Sequence, residues 1–153
     1  MAIKTIAFCT DFSTNAEAAF VEAFDLARKY QAKLFLIHVL PPVINPLTTE
    51  TEWVLPDEDS KSLILNLEER MQQEYGSRLT DQIDYELVVL NGHISSEILT
   101  FLEKNRIDLG VMGAYGLSGM GFVLFGSVAK RVVHKAPCSV MIVRSPKEVH
   151  EQI

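Results

Sequence analysis

The chain has 153 residues, of which 48% are hydrophobic and 22% are charged, a composition that fits one globular domain with a substantial core. Its net charge of −6 and its pI of about 5.2 disfavour partners such as nucleic acids and anionic membranes, because both need a basic surface. The sequence starts without the long apolar core of a secretory signal and contains no apolar run of ~18 residues, so we expect a cytosolic protein.

Strands and helices are predicted to alternate along the sequence. Short apolar and β-branched runs predict five strands, at Ala2–Phe8, Lys33–Leu40, Asp84–Leu90, Asp108–Ala114 and Ser139–Arg144. Apolar residues at helical spacing predict a helix after each of the first four strands, marked by Phe20 and Ala23, by Leu63 and Leu67, by Ile94 and Ile98, and by Val128 and Val132. Thr14 followed by Glu17 is a capping-box signature for the start of the first helix.

The order of these elements predicts the fold class. Almost continuously apolar strands that are separated by helices are typical of a parallel sheet with helices on both faces. We predict a single domain over residues 1–145 and a polar tail over 146–153. The segment 41–60 carries four of the six prolines and is predicted to be a long loop. Ligands of such sheets bind at the carboxyl ends of the strands, where three loops stand out: Thr10–Ser13, Asn91–Ser95 and Gly113–Ser127.

The loop Gly113–Ser127 contains five glycines and leads into the fourth predicted helix. Glycine lets a ligand approach the backbone closely, and the unpaired N–H groups of a helix start favour an anion. The loop therefore indicates either a phosphate-binding turn or a plain flexible connection. It is not a Walker loop, because the Gly-Lys-Ser/Thr end is missing, and it is not the dinucleotide fingerprint, which belongs on a short turn after a first strand.

The spacing Gly113-x2-Gly116-x9-Gly126-Ser127 resembles the nucleotide-binding signature of the universal stress protein family. The pieces DFS, HVL, NGHISSEIL and APCSVMIV resemble the same family, in the expected order along the whole chain. This resemblance implies a Rossmann-like, adenine nucleotide alpha hydrolase-like fold with strand order 3-2-1-4-5, and frequently a homodimer. The subgroup with this glycine pattern typically binds ATP. The resemblance therefore implies an ATP-binding sensor or regulatory module of the stress response, with Mg²⁺ as an open question.

The resemblance also implies a set of nucleotide-binding residues. By position, Asp11 would lie near the adenine and the ribose, and Val39 would offer backbone contacts to the adenine. The other members of the predicted set are Thr10, Phe12, Met112, Gly113, Gly116, Gly126, Ser127 and Val128, of which the three glycines, Ser127 and Val128 would hold the ribose and phosphates. The apolar insert Phe122–Phe125 departs from the family pattern and leaves the contacts at 120–125 open.

Several polar residues have two interpretations. Asp11 either contacts the nucleotide or caps the first helix, and contact is favoured because Thr14 already caps that helix. His38 is expected to pack or hydrogen-bond at the end of the sheet rather than to act as a catalyst, and His93 is a weaker candidate for reaching a ligand. The basic residues of the fourth helix are expected to form its exposed face, although two of them are candidates for a terminal phosphate; these residues are Lys130, Arg131 and Lys135, and the candidates are the first two.

The remaining predictions concern turnover, assembly and the thiols. No charged residue lies between Gly113 and Ser127, so we expect slow or absent ATP hydrolysis; a slow ATPase, a nucleotide-free dimerisation module and a flavin-binding domain are the alternatives. A fifth strand at the sheet edge, apolar on both sides, predicts a homodimer through Val140, Met141, Ile142 and Val143. The alternative is that the loop 41–60 covers this edge. Cys9 and Cys138 are expected to be buried free thiols.

Overall fold

The computed structural model describes residues 2–42, 57–114 and 126–145. Gly116, the insert Phe122–Phe125, the tail 146–153 and most of the segment 41–60 lie outside the described residues. The strands are β1 (Thr5–Cys9), β2 (Lys33–Leu40), β3 (Tyr85–Asn91), β4 (Leu109–Gly113) and β5 (Ser139–Val143). The helices are α1 (Thr14–Tyr30), α2 (Asp57–Met71), α3 (Ile94–Lys104) and α4 (Ser127–Lys135). Three short turns follow α2: a π-helical turn at Gln72–Gly76, an α-turn at Ser77–Leu79 and a 3₁₀ turn at Thr80–Gln82.

The five strands form one parallel sheet in the order β3-β2-β1-β4-β5, which confirms the predicted fold class. Cys9 near the end of β1 lies opposite Ile37 of β2 on one side and Met112 of β4 on the other. The chain therefore leaves β1 towards β2 and β3 on one side and returns to β4 on the other. This reversal beside β1 separates the loops at the carboxyl ends of β1 and β4 and creates room for a ligand there.

Each face of the sheet carries its own apolar core. On the face covered by α1 and α2, the buried rings of Phe8, Phe20 and Tyr75 lie with centroids 4.9–5.6 Å apart. On the other face, α3 and α4 pack Ile98 and Val132 against the strands. Burial on both sides explains why the central strands read as continuous apolar runs rather than alternating ones.

Helix α2 begins at Asp57, inside the segment that was predicted to be a loop up to residue 60. In the sequence Pro56 directly precedes this start. Proline is tolerated at the beginning of a helix, because the N–H that it lacks has no partner in the first turn. The proline content of the segment therefore did not exclude a helix at its end, and the predicted boundary is wrong.

The predicted capping box at the start of α1 is also wrong. Ser13 is the cap: its Oγ accepts a hydrogen bond from the Ala16 amide at 3.2 Å, and its carbonyl accepts from the Glu17 amide at 3.0 Å. Thr14 is the first helical residue instead. The Glu17 carboxylate pairs with Arg78 at 2.7 Å, so it joins α1 to the turns that follow α2.

Both cysteines are free, as predicted, but each is only partly buried. Burial raises the pKa of the Cys9 thiol to about 12, and it also raises the pKa of Cys138. Both thiols are therefore protonated at neutral pH and poorly nucleophilic. Within the described ranges, no helix combines the length and the apolar character that a bilayer crossing requires.

Candidate functional site

A cavity of about 360 Å³ opens at the carboxyl ends of β1, β2 and β4, between the starts of α3 and α4. This volume lies within the range of ~300–1,000 Å³ that is usual for small-molecule sites. Eight of the ten predicted site residues line it: Thr10, Asp11, Val39, Met112, Gly113, Gly126, Ser127 and Val128. Most of the other lining residues are apolar, among them Ile37, Ile94, Ile98 and Ala129. The predicted set therefore converges on one place, although its members come from distant parts of the sequence.

The other two predicted site residues differ from these eight. Gly116 lies outside the described residues, and Phe12 packs elsewhere. The ring of Phe12 stacks on Tyr75 with centroids 6.1 Å apart and lies 4.8 Å from the ring of His38. The guanidinium carbon of Arg70 lies 3.9 Å from the centre of the same ring. Phe12 thus belongs to the core on the α1 and α2 face and borders the cavity only through its neighbours.

Strand β2 extends beyond the end of β1, so the last backbone groups of β2 on this side lie past the β1–β2 ladder. In a parallel pair, the N–H and C=O of one residue point to the same neighbouring strand, and successive residues alternate between neighbours. Ile37 faces β1, because its carbonyl accepts from the Thr10 amide at 2.8 Å, whereas Leu40 faces β3 and accepts from Gly92 at 3.0 Å. Val39 therefore faces the β1 side, beyond the last β1–β2 pair at Cys9 and Ile37. Its N–H and C=O lie side by side at the cavity.

Asp11 contributes both to the cavity wall and to the entry of α1. Its Oδ1 accepts a hydrogen bond from the Ser13 amide at 3.0 Å, which forms a local turn ahead of the helix. Ser13 and Asp11, rather than Thr14, thus make the hydrogen bonds at the start of α1. Because Thr14 does not cap the helix, it gives no reason to prefer a nucleotide role for Asp11. Among the described lining residues, however, Asp11 is the only carboxylate.

The start of α4 presents its first-turn amides to the cavity. The first backbone bond of the helix runs from the Lys130 amide to the Gly126 carbonyl at 2.9 Å, so the amides of Ser127, Val128 and Ala129 precede the intrahelical ladder. All three residues line the cavity. Gly126 itself has φ −60° and ψ 157°, a conformation that any residue adopts. The backbone at this position therefore does not demand glycine, and a larger side chain can be tested there.

Gly113 has a structural reason to be glycine. A Cβ at this position would lie 2.9 Å from both the carbonyl carbon and the Cβ of Asn15, and 3.1 Å from the Ala16 amide nitrogen. The first turn of α1 thus packs directly on the end of β4. The first glycine of the signature permits this close approach, whatever it also contributes to a ligand.

His38 and Arg131 are held by hydrogen bonds at the edge of the site. His38 Nδ1 lies 2.8 Å from the Thr10 carbonyl oxygen, and since a carbonyl only accepts, Nδ1 carries the proton. This agrees with the predicted hydrogen-bonding role at the sheet end. Arg131 is exposed, as predicted, and its guanidinium also donates to Ser95 Oγ at 3.1 Å, which joins α4 to the start of α3. His93 bonds to Ser96 Oγ at 3.0 Å and does not line the cavity.

Comparisons with known proteins identify the family. The model of the universal stress protein family matches residues 2–144. The chain belongs to the universal stress protein family. A universal stress protein of Methanocaldococcus jannaschii, MJ0531, is 32% identical over 150 residues, which cover 95% of this chain and 84% of that protein. The structure of the universal stress protein UspA from Lactobacillus plantarum has a TM-score of 0.74 and 27% identity, and the match covers 94% of this chain and 99% of that one.

More distant members of the family have been solved with bound nucleotides. One universal stress protein is in complex with cAMP (TM-score 0.67, 22% identity), and the protein from Archaeoglobus fulgidus is in complex with dAMP (0.58, 21%). A family protein from Arabidopsis thaliana has AMP bound (0.59, 19%). The matches cover 94%, 94% and 95% of this chain, and 98%, 99% and 94% of those proteins. At these identities the likeness establishes a shared fold.

Sequence reasoning missed one residue of this family member that bears on the site. The hydroxyl of Tyr75 lies 2.6 Å from Thr10 Oγ1, in a buried contact between residues 65 positions apart. In the sequence, Tyr75 continues the helical spacing of Leu63 and Leu67, and no local pattern indicates its partner. The described part of the chain contains no group of three His, Cys, Asp or Glu side chains that could hold a metal ion.

Proposed function

We propose that this chain binds an adenine nucleotide, ATP in the first place, in the cavity at the carboxyl ends of β1, β2 and β4. In this proposal the protein acts as a nucleotide-dependent sensor or regulatory module of the stress response. The observation that supports it most is that one cavity joins two sets of backbone groups. The N–H and C=O of Val39 lie on one side, and the first-turn amides of α4 lie on the other.

The Val39 side suits the adenine. A backbone N–H beside a C=O is complementary to a ring nitrogen beside an exocyclic amino group, which is the hydrogen-bonding edge of adenine. The lining side chains of Ile37, Ile98 and Met112 provide apolar walls for a flat base. Asp11 offers a carboxylate that can accept a hydrogen bond from a ribose hydroxyl. These features support the roles that the family resemblance implies for Asp11 and Val39.

The α4 side suits the phosphates. The amides of Ser127, Val128 and Ala129, together with the positive end of the helix dipole, favour an anion. The Ser127 hydroxyl adds a donor, and Gly113, Gly116 and Gly126 belong to the same proposed phosphate site. We propose that Mg²⁺ enters bound to the nucleotide phosphates rather than to a preformed cluster of acidic side chains. The complexes of distant family members with cAMP, dAMP and AMP support an adenine nucleotide in general, whereas the preference for ATP follows from the glycine spacing.

Calorimetric titration of the purified protein with ATP tests this proposal, with Gly126→Val as the blocking variant. The backbone at Gly126 accepts valine without strain, so the variant is expected to fold, while its side chain reduces the space in front of the α4 amides. We expect at least a tenfold weaker affinity, which corresponds to about 1.4 kcal/mol. Gly110→Ala, which lies on β4 away from the cavity lining, is the matched control. Unchanged ATP binding by a folded Gly126→Val variant would contradict the site.

We further propose a homodimer through β5. This strand lies at the sheet edge, and the side chains of Val140, Met141, Ile142 and Val143 are only partly buried in the single chain. Pairing with the same strand of a second copy would satisfy its backbone groups and close with two-fold symmetry. Met141→Lys is expected to convert a dimer into a monomer, as measured by light scattering after size exclusion. A wild-type mass of one chain at micromolar concentration would exclude this dimer.

A further inference from the structure

Thr10 is the point at which the cavity meets the core on the α1 and α2 face. Its carbonyl accepts from His38 Nδ1 at 2.8 Å, and its Oγ1 accepts from the Phe12 amide at 2.9 Å. The same Oγ1 lies 2.6 Å from the Tyr75 hydroxyl. Thr10 lines the cavity, and Tyr75 does not. The Tyr75 hydroxyl thus fixes the rotamer of Thr10, and Thr10 Oγ1 stabilises the following turn at Phe12.

That turn has an unusual backbone. Phe12 has φ 64°, in the left-handed region, which a bulky aromatic residue rarely adopts. Its amide donates to Thr10 Oγ1, and its ring packs against Tyr75, His38 and Arg70. Asp11 lies between Thr10 and Phe12, so the position of this cavity-lining residue depends on the conformation of the turn. Tyr75 therefore supports the turn twice, through its hydroxyl and through its ring.

The helix around Tyr75 departs from regular α-helical geometry. Tyr75 lies in the π-helical turn Gln72–Gly76, and its side chain is fully buried. Such turns are rare in proteins as a whole, but those that occur are frequently found at functional sites. Burial raises the pKa of its hydroxyl to about 12, so the group stays protonated and can donate.

We propose that Tyr75 is a positioning residue for the nucleotide site, which orients Asp11 through Thr10 and Phe12 without touching the nucleotide. This inference rests on the proposed function of the cavity. If Tyr75 acts in this way, removal of its hydroxyl weakens ATP binding although Tyr75 does not line the cavity. The ring and its packing remain in Tyr75→Phe, so the loss is expected to come from the turn at Thr10–Phe12.

The test compares ATP affinity across matched variants. Tyr75→Phe is expected to weaken ATP binding about fivefold to tenfold, the size of one lost neutral hydrogen bond. Tyr85→Phe removes a hydroxyl that bonds to Gln72 Oε1 at 3.1 Å on the exposed side of the same π-turn, and should leave the affinity unchanged. Ile107→Val, a core variant at the opposite edge of the sheet, is the control for a general loss of stability.

A second pair of variants acts at Thr10. Thr10→Val removes the hydroxyl that the Tyr75 hydroxyl contacts, and it is expected to weaken ATP binding. If Tyr75 acts through Thr10, the double variant Tyr75→Phe/Thr10→Val should bind no more weakly than Thr10→Val alone. Wild-type affinity in Tyr75→Phe, an equal loss in Ile107→Val, or additive losses in the double variant would overturn the inference while ATP binding itself stands. A wild-type chain that does not bind ATP would instead overturn the proposed function.

Discussion

The parallel strands begin at one side of the sheet, the amino edge, and end at the opposite side, the carboxyl edge. Backbone groups are satisfied differently at these two sides. At the amino edge, the Asp108 carboxylate accepts hydrogen bonds from the amides of Lys4 and Thr5 at 2.8 and 3.1 Å. The Asp108 amide in turn donates to the Thr5 carbonyl at 3.1 Å, so the starts of β1 and β4 are joined directly. At the carboxyl edge, β1 ends before β2 does, and the amides at the start of α4 precede the helical ladder. Backbone groups are satisfied within the protein at one edge and directed towards a cavity at the other.

This difference separates the part of the domain that supports folding alone from the part that carries the proposed ligand site. Burial on both faces stabilises the sheet, and its amino edge needs only short polar contacts. At the carboxyl edge, Gly113 lets the first turn of α1 pack closely on the end of β4, and Asn15 is buried beside it. Changes at the carboxyl edge should therefore affect both folding and binding, whereas changes at the amino edge should affect folding alone.

The largest effect is expected for Gly113→Ala. Its Cβ would meet backbone and Cβ atoms of Asn15 at 2.9 Å, and these atoms cannot move aside as a flexible side chain would. We expect a loss of about 1–3 kcal/mol in the free energy of unfolding, together with weaker ATP binding. Gly110→Ala on the same strand is the matched control, since its Cβ would lie 3.8 Å from Leu102 and Val140. Urea denaturation of both variants measures the difference, and equal stabilities would contradict the close approach.

Asn15→Ala is expected to have the next largest effect. Asn15 Oδ1 accepts a hydrogen bond from the Ser145 amide at 2.8 Å, a buried contact that joins α1 to the chain after β5. Alanine leaves this buried amide without its acceptor, which costs about 1–3 kcal/mol. Urea denaturation measures this cost, and equal stabilities of Asn15→Ala and the wild type would contradict a contribution from the hydrogen bond.

The fold was more predictable from the sequence than the details of the site. Continuous apolar strands and helical spacing follow from burial, which the amino-acid sequence records locally, so these patterns predicted the fold class correctly. The sheet order was implied by the family resemblance instead, and it is also confirmed. The role of Gly113 depends on Asn15, almost a hundred positions earlier, and the Thr10–Tyr75 contact joins residues 65 apart. Neither has a local signal. The cap at Ser13 was missed because Thr14 and Ser13 are chemically similar, and only the backbone conformation decides between them.

Asp108→Ala tests the amino edge and is expected to cost about 1 kcal/mol, since charge-assisted bonds at a largely exposed site are screened by solvent. Hydrogen bonds from the Lys4 and Thr5 amides lower the pKa of Asp108 below its usual 3.8, against a smaller opposing effect of burial. The ionised form is therefore favoured by folding. Its contribution is present above pH 3.8 and is lost as the pH falls through the lower folded value. Denaturation at pH 7 and at pH 3 should show that the free energy of unfolding depends less on pH in Asp108→Ala than in the wild type. The affinity for ATP at pH 7 should stay unchanged.

The smallest expected effect concerns His38, at the carboxyl edge. Burial lowers the pKa of its imidazole, and the nearby Arg70 acts in the same direction; the hydrogen bond to the Thr10 carbonyl and the charge of Asp11 raise it. Because the net shift is downward, the unfolded chain takes up this proton at a higher pH than the folded one does. The contribution of His38 to the free energy of unfolding is therefore fully present above pH 6.5, the usual pKa of histidine. It is lost as the pH falls through the lower folded pKa.

His38→Asn separates this titration from the hydrogen bond, since the Asn amide nitrogen can occupy the place of Nδ1 and still donate to the Thr10 carbonyl. The variant should lose the part of the pH dependence between pH 7.5 and pH 5 that the imidazole causes. Matched urea titrations at the two pH values measure it, with His134→Asn on the exposed end of α4 as the control. The same pH dependence in wild type and His38→Asn would show that other groups cause it. A steeper loss of stability at high pH than at low pH would contradict the direction of the shift.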